Sequence, residues 1–97
     1  MRELTVKDAI NEALVEAFEA DEKVILMGED IAGGAGKESY QGARDSWGGP
    51  FGVTKGLLTK FGPERVRDTT IAEAGFVGAA VGAAMTGMRP IVELMYV

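Results

Sequence analysis

The 97-residue sequence contains no cysteine and no histidine. Without cysteine there is no disulfide framework, no thiol nucleophile and no zinc–thiolate site. Without histidine there is no catalytic triad of the usual kind and no histidine-based metal site. These absences exclude several common types of active site, and we expect no metal ligands in this chain.

Basic residues are scarce as well. The formal net charge is −5, and no cluster of lysine and arginine offsets it, which argues against a nucleic-acid-binding surface. Residues 1–50 hold eleven acids and five bases, whereas residues 51–97 hold four and five. The acidic excess therefore belongs to the first half of the chain, where it is typical of a solvated face.

Long apolar runs are also missing. The segment from Ala74 to Met88 carries no charge, but it is shorter than the roughly 18–20 residues that a membrane span requires. A helix that packs against protein on several sides is the better interpretation of this segment. The N-terminus lacks the succession of regions that marks a signal peptide, so we expect a cytoplasmic protein with no membrane partner.

Hydrophobic periodicity predicts a helix followed by a buried strand in the first third of the chain. The residues Thr5-Val6-Lys7-Asp8 form a capping-box-like start. Apolar residues then recur at three- and four-residue steps over about four turns, until Asp21-Glu22 ends the helix. The continuous apolar run from Val24 to Met27 indicates a strand buried on both faces.

The rest of the chain continues this alternation. Residues 28 to about 50 form a long glycine-rich connection, of a kind that is usually functional or mobile. The sequence then predicts a short helix at Phe51–Phe61, a short strand at Val66–Asp68, a Gly/Ala helix ending near Gly87, and a strand from Ile91 to Val97.

An alternation of helices and strands favours parallel strands joined by crossovers. We therefore expect an α/β fold, a three-layer domain built on a parallel sheet. Three strands are too few to bury a doubly wound core. For this reason the fold is expected to be incomplete, with residues 1–97 as a fragment of a larger domain.

Glu73 is the main candidate for catalysis. It stands alone among small and apolar side chains in residues 71–87. Burial there would raise the pKa of its carboxyl, because burial disfavours the charged form, and a carboxyl of that kind suits a site for a basic heterocycle. The alternative is that Glu73 is a first-turn acid that only complements the helix dipole.

Acidic side chains follow two successive strands. Glu29 and Asp30 come directly after the first strand, and the segment from Asp68 to Glu73 follows the second. In open α/β sheets the ligand crevice lies at the carboxyl ends of the strands, so these positions favour a binding site. Alternatively, Glu29 and Asp30 are loop acids that cap backbone amides.

Glycines form a stripe along the Gly/Ala helix at Gly75, Gly78 and Gly82. A glycine costs about 1 kcal/mol in a helix interior relative to alanine, so several of them require a reason. The usual reason is the close approach of another backbone. That backbone belongs either to the sheet of the same chain or to a neighbouring helix or second copy.

The order of these motifs resembles a known family. Glu73, followed by Gly78 and Gly82, is similar to the signature of thiamine-diphosphate enzymes. Further matching segments are TVKDAINEAL at residues 5–14, LMGEDI at 26–31, GVTKGL at 52–57 and RPIVE at 89–93. Together they resemble the start of the β subunit of the E1 component of 2-oxoacid dehydrogenase complexes. The segments AGG at residues 32–34 and WGG at 47–49 are most similar to the acetoin dehydrogenase branch.

The resemblance implies a thiamine-diphosphate-binding fold of the pyrimidine type, the transketolase-like pyrimidine-binding domain. The glutamate that matches Glu73 hydrogen-bonds nitrogen N1′ of the cofactor's aminopyrimidine and activates it. Glu29 matches a second acid near the cofactor, and Ile71 matches an apolar residue beside the pyrimidine. Thr70 departs from the family, which commonly has proline there. Thiamine diphosphate would be held jointly, with its diphosphate and Mg²⁺ on a partner subunit.

The resemblance also implies an assembly and a reaction. The partners would be an E1 α subunit in an α2β2 heterotetramer, a second β subunit, and the E2 lipoyl acyltransferase. The reaction would be oxidative cleavage or decarboxylation of acetoin, pyruvate or a branched-chain 2-oxoacid with acyl transfer to E2, and residues 1–97 alone would be inactive. The alternative is a non-catalytic α/β assembly module that uses its glycine-rich helix for subunit contacts.

Overall fold

The structure, a computed structural model, describes residues 2–32 and 51–95. Within them, the elements in chain order are helix α1 (Val6–Ala20), strand β1 (Val24–Glu29), helix α2 (Leu57–Phe61), strand β2 (Val66–Thr69), helix α3 (Glu73–Met85) and strand β3 (Arg89–Glu93). The greater part of the predicted long connection, residues 33–50, lies outside the described residues.

Helix α1 begins and ends where its sequence predicts. The amide of Asp8 donates a hydrogen bond of 3.1 Å to Oγ1 of Thr5, which is the N-cap residue. This bond satisfies one of the amides that a helix start leaves without a partner. The helix runs for 15 residues to the C-cap Asp21 and buries Leu14 and Phe18. The predicted capped helix of about four turns is therefore confirmed.

The three strands form one parallel sheet in the order β2-β1-β3. Strand β1 lies in the centre, and its Gly28 is aligned with Asp68 of β2 and with Glu93 of β3. The predicted parallel arrangement is confirmed. Because parallel strands end at the same edge of a sheet, the carboxyl ends of all three strands meet at one edge.

Helices cover both faces of this sheet. Successive side chains of β1 point to opposite faces. On one face Leu26 joins the core formed with Leu14 of α1 and Leu57 of α2. On the other face Met27 and Ala79 of α3 line a shared cavity. The layers are therefore helix, sheet and helix, which confirms the predicted α/β class.

Several boundaries differ from the prediction. Helix α2 begins at Leu57 rather than Phe51, because Gly52 and Gly56 have φ values of 75° and 84°, in the left-handed region that a right-handed helix does not use. Strand β1 extends two residues further, to Glu29. Strand β3 starts at Arg89 and ends at Glu93, before the predicted end of that strand.

Helix α3 is covered on only one side by the described residues, whereas we predicted packing on several sides. Its buried residues are Phe76 and Ala80. A Cβ atom built on Gly78 or Gly82 would meet nothing within 4 Å outside its own helix. At these two glycines, the alternative of a close contact with the sheet is therefore not supported. In the ranges 2–32 and 51–95, no helix is both long and apolar enough to cross a membrane.

Arg65 connects α1, β1 and α2. Its Nη2 donates hydrogen bonds to the carbonyls of Phe18 (2.9 Å) and Asp21 (2.8 Å), and its Nε donates to the carbonyl of Val24 (3.1 Å). Its Cζ lies 4.6 Å from the ring centre of Phe18 and 5.2 Å from that of Phe61. The guanidinium thus satisfies carbonyls that the end of α1 leaves open, and its positive charge complements the helix dipole.

Replacing Arg65 with alanine should lower the free energy of unfolding by about 2–3 kcal/mol, because three carbonyls lose a charged donor. Urea unfolding of both proteins measures this difference. Arg67→Ala is the matched control, since the Arg67 side chain donates one exposed hydrogen bond, to the carbonyl of Glu64 at 2.8 Å. Its cost should stay within about 0.5 kcal/mol. Equal losses in the two variants would contradict the role assigned to Arg65.

Candidate functional site

Two glutamates meet at the carboxyl edge of the sheet. Glu29 is the last residue of β1, and Glu73 is the first residue of α3, which follows β2. Strands β1 and β2 are direct neighbours, with Glu29 aligned to Thr69 at the end of β2. The carboxyls of Glu29 and Glu73 come within hydrogen-bonding reach of each other, and this contact is the first cause of the pKa shift of each group. The predicted convergence of acids from two strand ends is therefore present.

Glu29 is the buried member of this pair. Only 6% of its surface is exposed, and its Oε1 has no hydrogen-bond partner. The hydrogen bond to Glu73 raises the pKa of Glu29, and burial together with the negative charges of Glu73 and Asp30 raises it further. Glu29 therefore keeps its proton to a higher pH than an ordinary glutamate does.

Glu73 is the exposed member, and its pKa shifts in the opposite direction from the one we predicted. The hydrogen bond from Glu29 lowers the pKa of Glu73, and a hydrogen bond with its own backbone amide lowers it further. The prediction of a raised pKa was wrong because Glu73 lies in an exposed first turn, while the buried carboxyl belongs to Glu29. A proton shared by the two carboxyls is therefore favoured on Glu29, whose pKa is raised, over Glu73, whose pKa is lowered. The sequence signal for the burial of Glu29 is its position directly after a strand predicted to be buried on both faces.

Ile71 lies two residues before Glu73, in the segment between β2 and α3. Its side chain is 84% exposed. A single exposed isoleucine is common on protein surfaces. Here it provides an apolar surface in the same short segment as an ionised carboxylate. Its place beside a bound pyrimidine stays a prediction.

The turn after β1 is held by side chains from other parts of the chain. The amide of Ala32 donates a hydrogen bond of 2.6 Å to Oδ1 of Asp68, and Oγ1 of Thr54 donates one of 3.0 Å to the carbonyl of Ile31. One interpretation of the sequence is that Glu29 and Asp30 cap the backbone amides of this turn. For the amide of Ala32 the acceptor is instead Asp68, which belongs to the neighbouring strand.

Glu93 is a half-buried acid with buried carboxyl oxygens, one that the sequence patterns did not single out. Neither of its carboxyl oxygens has a hydrogen-bond partner, and burial raises the pKa of the group. It lines a cavity of about 130 Å³ together with side chains that include Leu14 and Thr54. Glu93 lies opposite Gly28, so it faces away from Glu29. Its alternation with Ile91 in β3 is the signal that could have placed it on the inner face.

The opposite pKa shifts of Glu29 and Glu73 suit this edge of the sheet to proton sharing rather than to metal binding. In residues 2–32 and 51–95, no three acidic side chains are grouped in a way that could hold a metal ion. The Glu29–Glu73 pair combines a carboxylate that accepts hydrogen bonds with a carboxylic acid that donates one. Such a pair can bind the protonated or protonatable nitrogen of a heterocycle.

The chain is similar to known proteins over nearly its whole length. The family model of the transketolase pyrimidine binding domain matches residues 2–97. The chain is 55% identical over 95 residues to the acetoin:2,6-dichlorophenolindophenol oxidoreductase subunit beta of Bacillus subtilis, which covers 98% of this chain and 28% of that protein. Its identity to the protein of the same name from Cupriavidus necator is 53% over 96 residues, or 99% of this chain and 27% of the relative.

A plant relative shows the same relationship. The chain is 50% identical over 94 residues to the mitochondrial pyruvate dehydrogenase E1 component subunit beta-1 of Arabidopsis thaliana, covering 97% of this chain and 22% of that protein. Across these three relatives the chain spans between 22% and 28% of their length.

The shared proton gives a testable pH dependence. Above the ordinary glutamate pKa of about 4.3, the unfolded chain releases a proton that folded Glu29 still holds, so rising pH favours unfolding. Glu29→Gln should make the slope of unfolding free energy against pH shallower, by the equivalent of up to about one bound proton. Glutamine is neutral, and its amide can still donate a hydrogen bond to Glu73. The measurement is the free energy of unfolding as a function of pH.

The control for this experiment is Glu16→Gln, which removes an equal charge from an exposed position on α1. It should leave the decline in stability above pH 4.3 unchanged. Glu93 stays in both variants and continues to contribute a decline of its own. An unchanged pH dependence in Glu29→Gln would show that Glu29 does not hold the proton.

Proposed function

Because the chain belongs to the transketolase pyrimidine-binding domain family, we propose that it binds the aminopyrimidine of thiamine diphosphate through Glu29, Ile71 and Glu73. Membership of this family implies dependence on thiamine diphosphate in general. The single observation that carries the proposal is the meeting of Glu29 and Glu73 at the carboxyl edge of the sheet, where the pKa of Glu29 is raised and that of Glu73 is lowered.

The residues at this edge fit the proposed group. An aminopyrimidine presents ring nitrogens at its edge and an apolar face. Glu73 offers an exposed carboxylate for a ring nitrogen, and Ile71 offers an exposed apolar surface for the ring face. Oε1 of Glu29 is buried and has no hydrogen-bond partner. When bound, thiamine diphosphate supplies a nucleophilic carbon and an electron sink for cleavage beside a carbonyl.

The two acids take different roles in this proposal. Glu73 is the catalytic residue: its carboxylate accepts a hydrogen bond from nitrogen N1′ and holds a proton at that atom. Glu29 remains protonated, donates to Glu73 and fixes the orientation of its carboxylate. Because the donated hydrogen bond lowers the pKa of Glu73, the ionised form that a protonated ring nitrogen requires is favoured.

For the whole protein we propose an oxidoreductase, the E1 β subunit of a dehydrogenase complex. It would cleave or decarboxylate acetoin or a 2-oxoacid and transfer the acyl group to the lipoyl group of E2. The names of the relatives support both acetoin and pyruvate as substrates. Residues 1–97 would be the N-terminal part of the pyrimidine-binding domain and inactive alone.

The proposed assembly follows from the same relatives. Two of them are beta subunits of an oxidoreductase and the third is an E1 beta subunit. We propose an α2β2 heterotetramer in which the α subunit holds the diphosphate and Mg²⁺. A cytoplasmic location stays part of the proposal; the name of the plant relative places that protein in mitochondria.

A second candidate function is an assembly module without catalysis. The open space around Gly78 and Gly82 favours it, because these glycines have no close neighbour within the described part of the chain. In that case Glu73 is only an acid that complements the dipole of α3. The two candidates differ in what a substitution of Glu73 does.

Glu73→Gln should lower turnover at least about 100-fold, the usual contribution of a positioned acid–base group, while the protein still assembles. The measurement is oxidation of acetoin and of pyruvate by this chain expressed with the α subunit and supplied with thiamine diphosphate and Mg²⁺. Glu22→Gln removes a charge from the opposite edge of the sheet and should keep full turnover. Full turnover in Glu73→Gln would leave only the assembly-module function.

Gly82→Leu should weaken association, because a leucine side chain prevents the close backbone approach that a glycine permits. The measurement is the mass distribution of the co-expressed subunits in sedimentation velocity. Ala20→Leu adds a leucine at the exposed end of α1 and should leave the distribution unchanged. If Gly82→Leu assembles like the unaltered protein, α3 is not at a subunit contact.

A further inference from the structure

The turn from Asp30 to Ala32 is the segment that sets the end of β1, and so the place of Glu29. Ile31 and Ala32 are completely buried. Asp30 has a φ of 57°, in the left-handed region that aspartate adopts more readily than most residues with a Cβ. A buried turn with such a backbone needs partners for its polar groups from elsewhere in the chain.

Asp68 provides the shortest of these contacts. Its Oδ1 accepts the amide of Ala32 at 2.6 Å, although 36 residues separate the two in sequence. A carboxylate that accepts a backbone amide forms one of the stronger hydrogen bonds in proteins. A buried amide of Ala32 without this acceptor would lose its hydrogen bond with water and gain nothing in return.

The position of Asp68 in the chain gives this contact its significance. Asp68 lies in β2, and the segment that leaves β2 carries Glu73. A single side chain therefore joins the segment that bears Glu73 to the turn that follows Glu29.

We propose that Asp68 is a positioning residue, whose carboxylate holds the Asp30–Ala32 turn so that Glu29 stays within hydrogen-bonding reach of Glu73. Its catalytic meaning rests on the proposed function, whereas the positioning itself does not. Asp68 touches neither carboxyl of the pair through this bond. It acts through the backbone that fixes the end of β1.

Thr54 offers a matched comparison. Its hydroxyl donates to the carbonyl of Ile31 at 3.0 Å and is buried. The carbonyls of Val53 and Lys55 accept hydrogen bonds from Nδ2 of Asn11 in α1, at 2.8 and 3.0 Å. Thr54 thus ties the same turn to α1 rather than to the segment with Glu73. Its removal should cost stability without separating the two glutamates.

The test compares Asp68→Ala, Asp68→Asn and Thr54→Val in this chain expressed with the α subunit. The first readout is the pH dependence of the stability of the assembly between pH 4 and pH 8. Glu29 contributes the equivalent of up to about one bound proton to this dependence. Asp68→Ala should lose this contribution, as Glu29→Gln does. Asp68→Asn removes the same charge but keeps an acceptor oxygen, so it should retain most of the contribution. Thr54→Val should be less stable at every pH, with an unchanged pH dependence.

The second readout is turnover with thiamine diphosphate. Asp68→Ala should lower kcat on the order of 10–100-fold through misplacement of the pair, with little change in KM, and Asp68→Asn should recover a large part of the loss. If Glu73→Gln keeps full turnover, the proposed function fails, and the pH dependence of stability still decides whether Asp68 positions the pair.

Two results would overturn the positioning role. One is a wild-type pH dependence in Asp68→Ala. The other is the same altered pH dependence in Thr54→Val and Asp68→Ala, since any weakening of the turn would then have the same effect. If Asp68→Ala does not fold, the comparison of Asp68→Asn with Thr54→Val decides the question. Loss of the Glu29 contribution in Asp68→Asn would then contradict the positioning role, because the acceptor oxygen that asparagine retains should still hold the turn.

Discussion

The parallel pairing of β1 with a strand on each side is the constraint on which the rest of the structure depends. Gly28 lies between Asp68 and Glu93 in this sheet. A Cβ atom on Gly28 would come within 3.1 Å of the Cβ of Glu93 and 3.2 Å of its backbone oxygen, so the two strands approach as closely as a glycine permits. This close, in-register pairing brings the strand ends together, and it thereby turns acids that are far apart in sequence into neighbours.

The sheet also separates two acids that have buried carboxyl oxygens. Glu29 and Glu93 face opposite sides, and the pKa of each carboxyl is raised. For Glu93 the cause is burial alone, and the acid has nothing with which to share its proton among the described residues. For Glu29 the first cause is the hydrogen bond to Glu73. A proton that two carboxyls share can be transferred more readily than one held by a single buried acid, and this difference favours the α3 side of the sheet for the proposed chemistry.

Local patterns predicted the elements well, and contacts between distant residues explain the differences. The cap at Thr5 and the apolar run in β1 are signals within a few residues, and both were interpreted correctly. The pKa of Glu73 was not, because it depends on the buried partner Glu29, 44 positions earlier in the chain. The bond between Asp68 and the amide of Ala32 likewise requires knowledge of the strand register, which periodicity does not supply.

Helix α3 links the candidate site to the proposed assembly through the charge of Glu73. The helix begins with this ionised acid and continues with glycines that face open space. A partner that covers α3 would remove water from its first turn, and the desolvation of an isolated carboxylate is strongly unfavourable. Because Glu29 donates a hydrogen bond to Glu73, the charge keeps a partner when water leaves. Glu29 would then stabilise the charge of Glu73 during association. Cofactor binding and subunit assembly would both require Glu29 to donate this hydrogen bond.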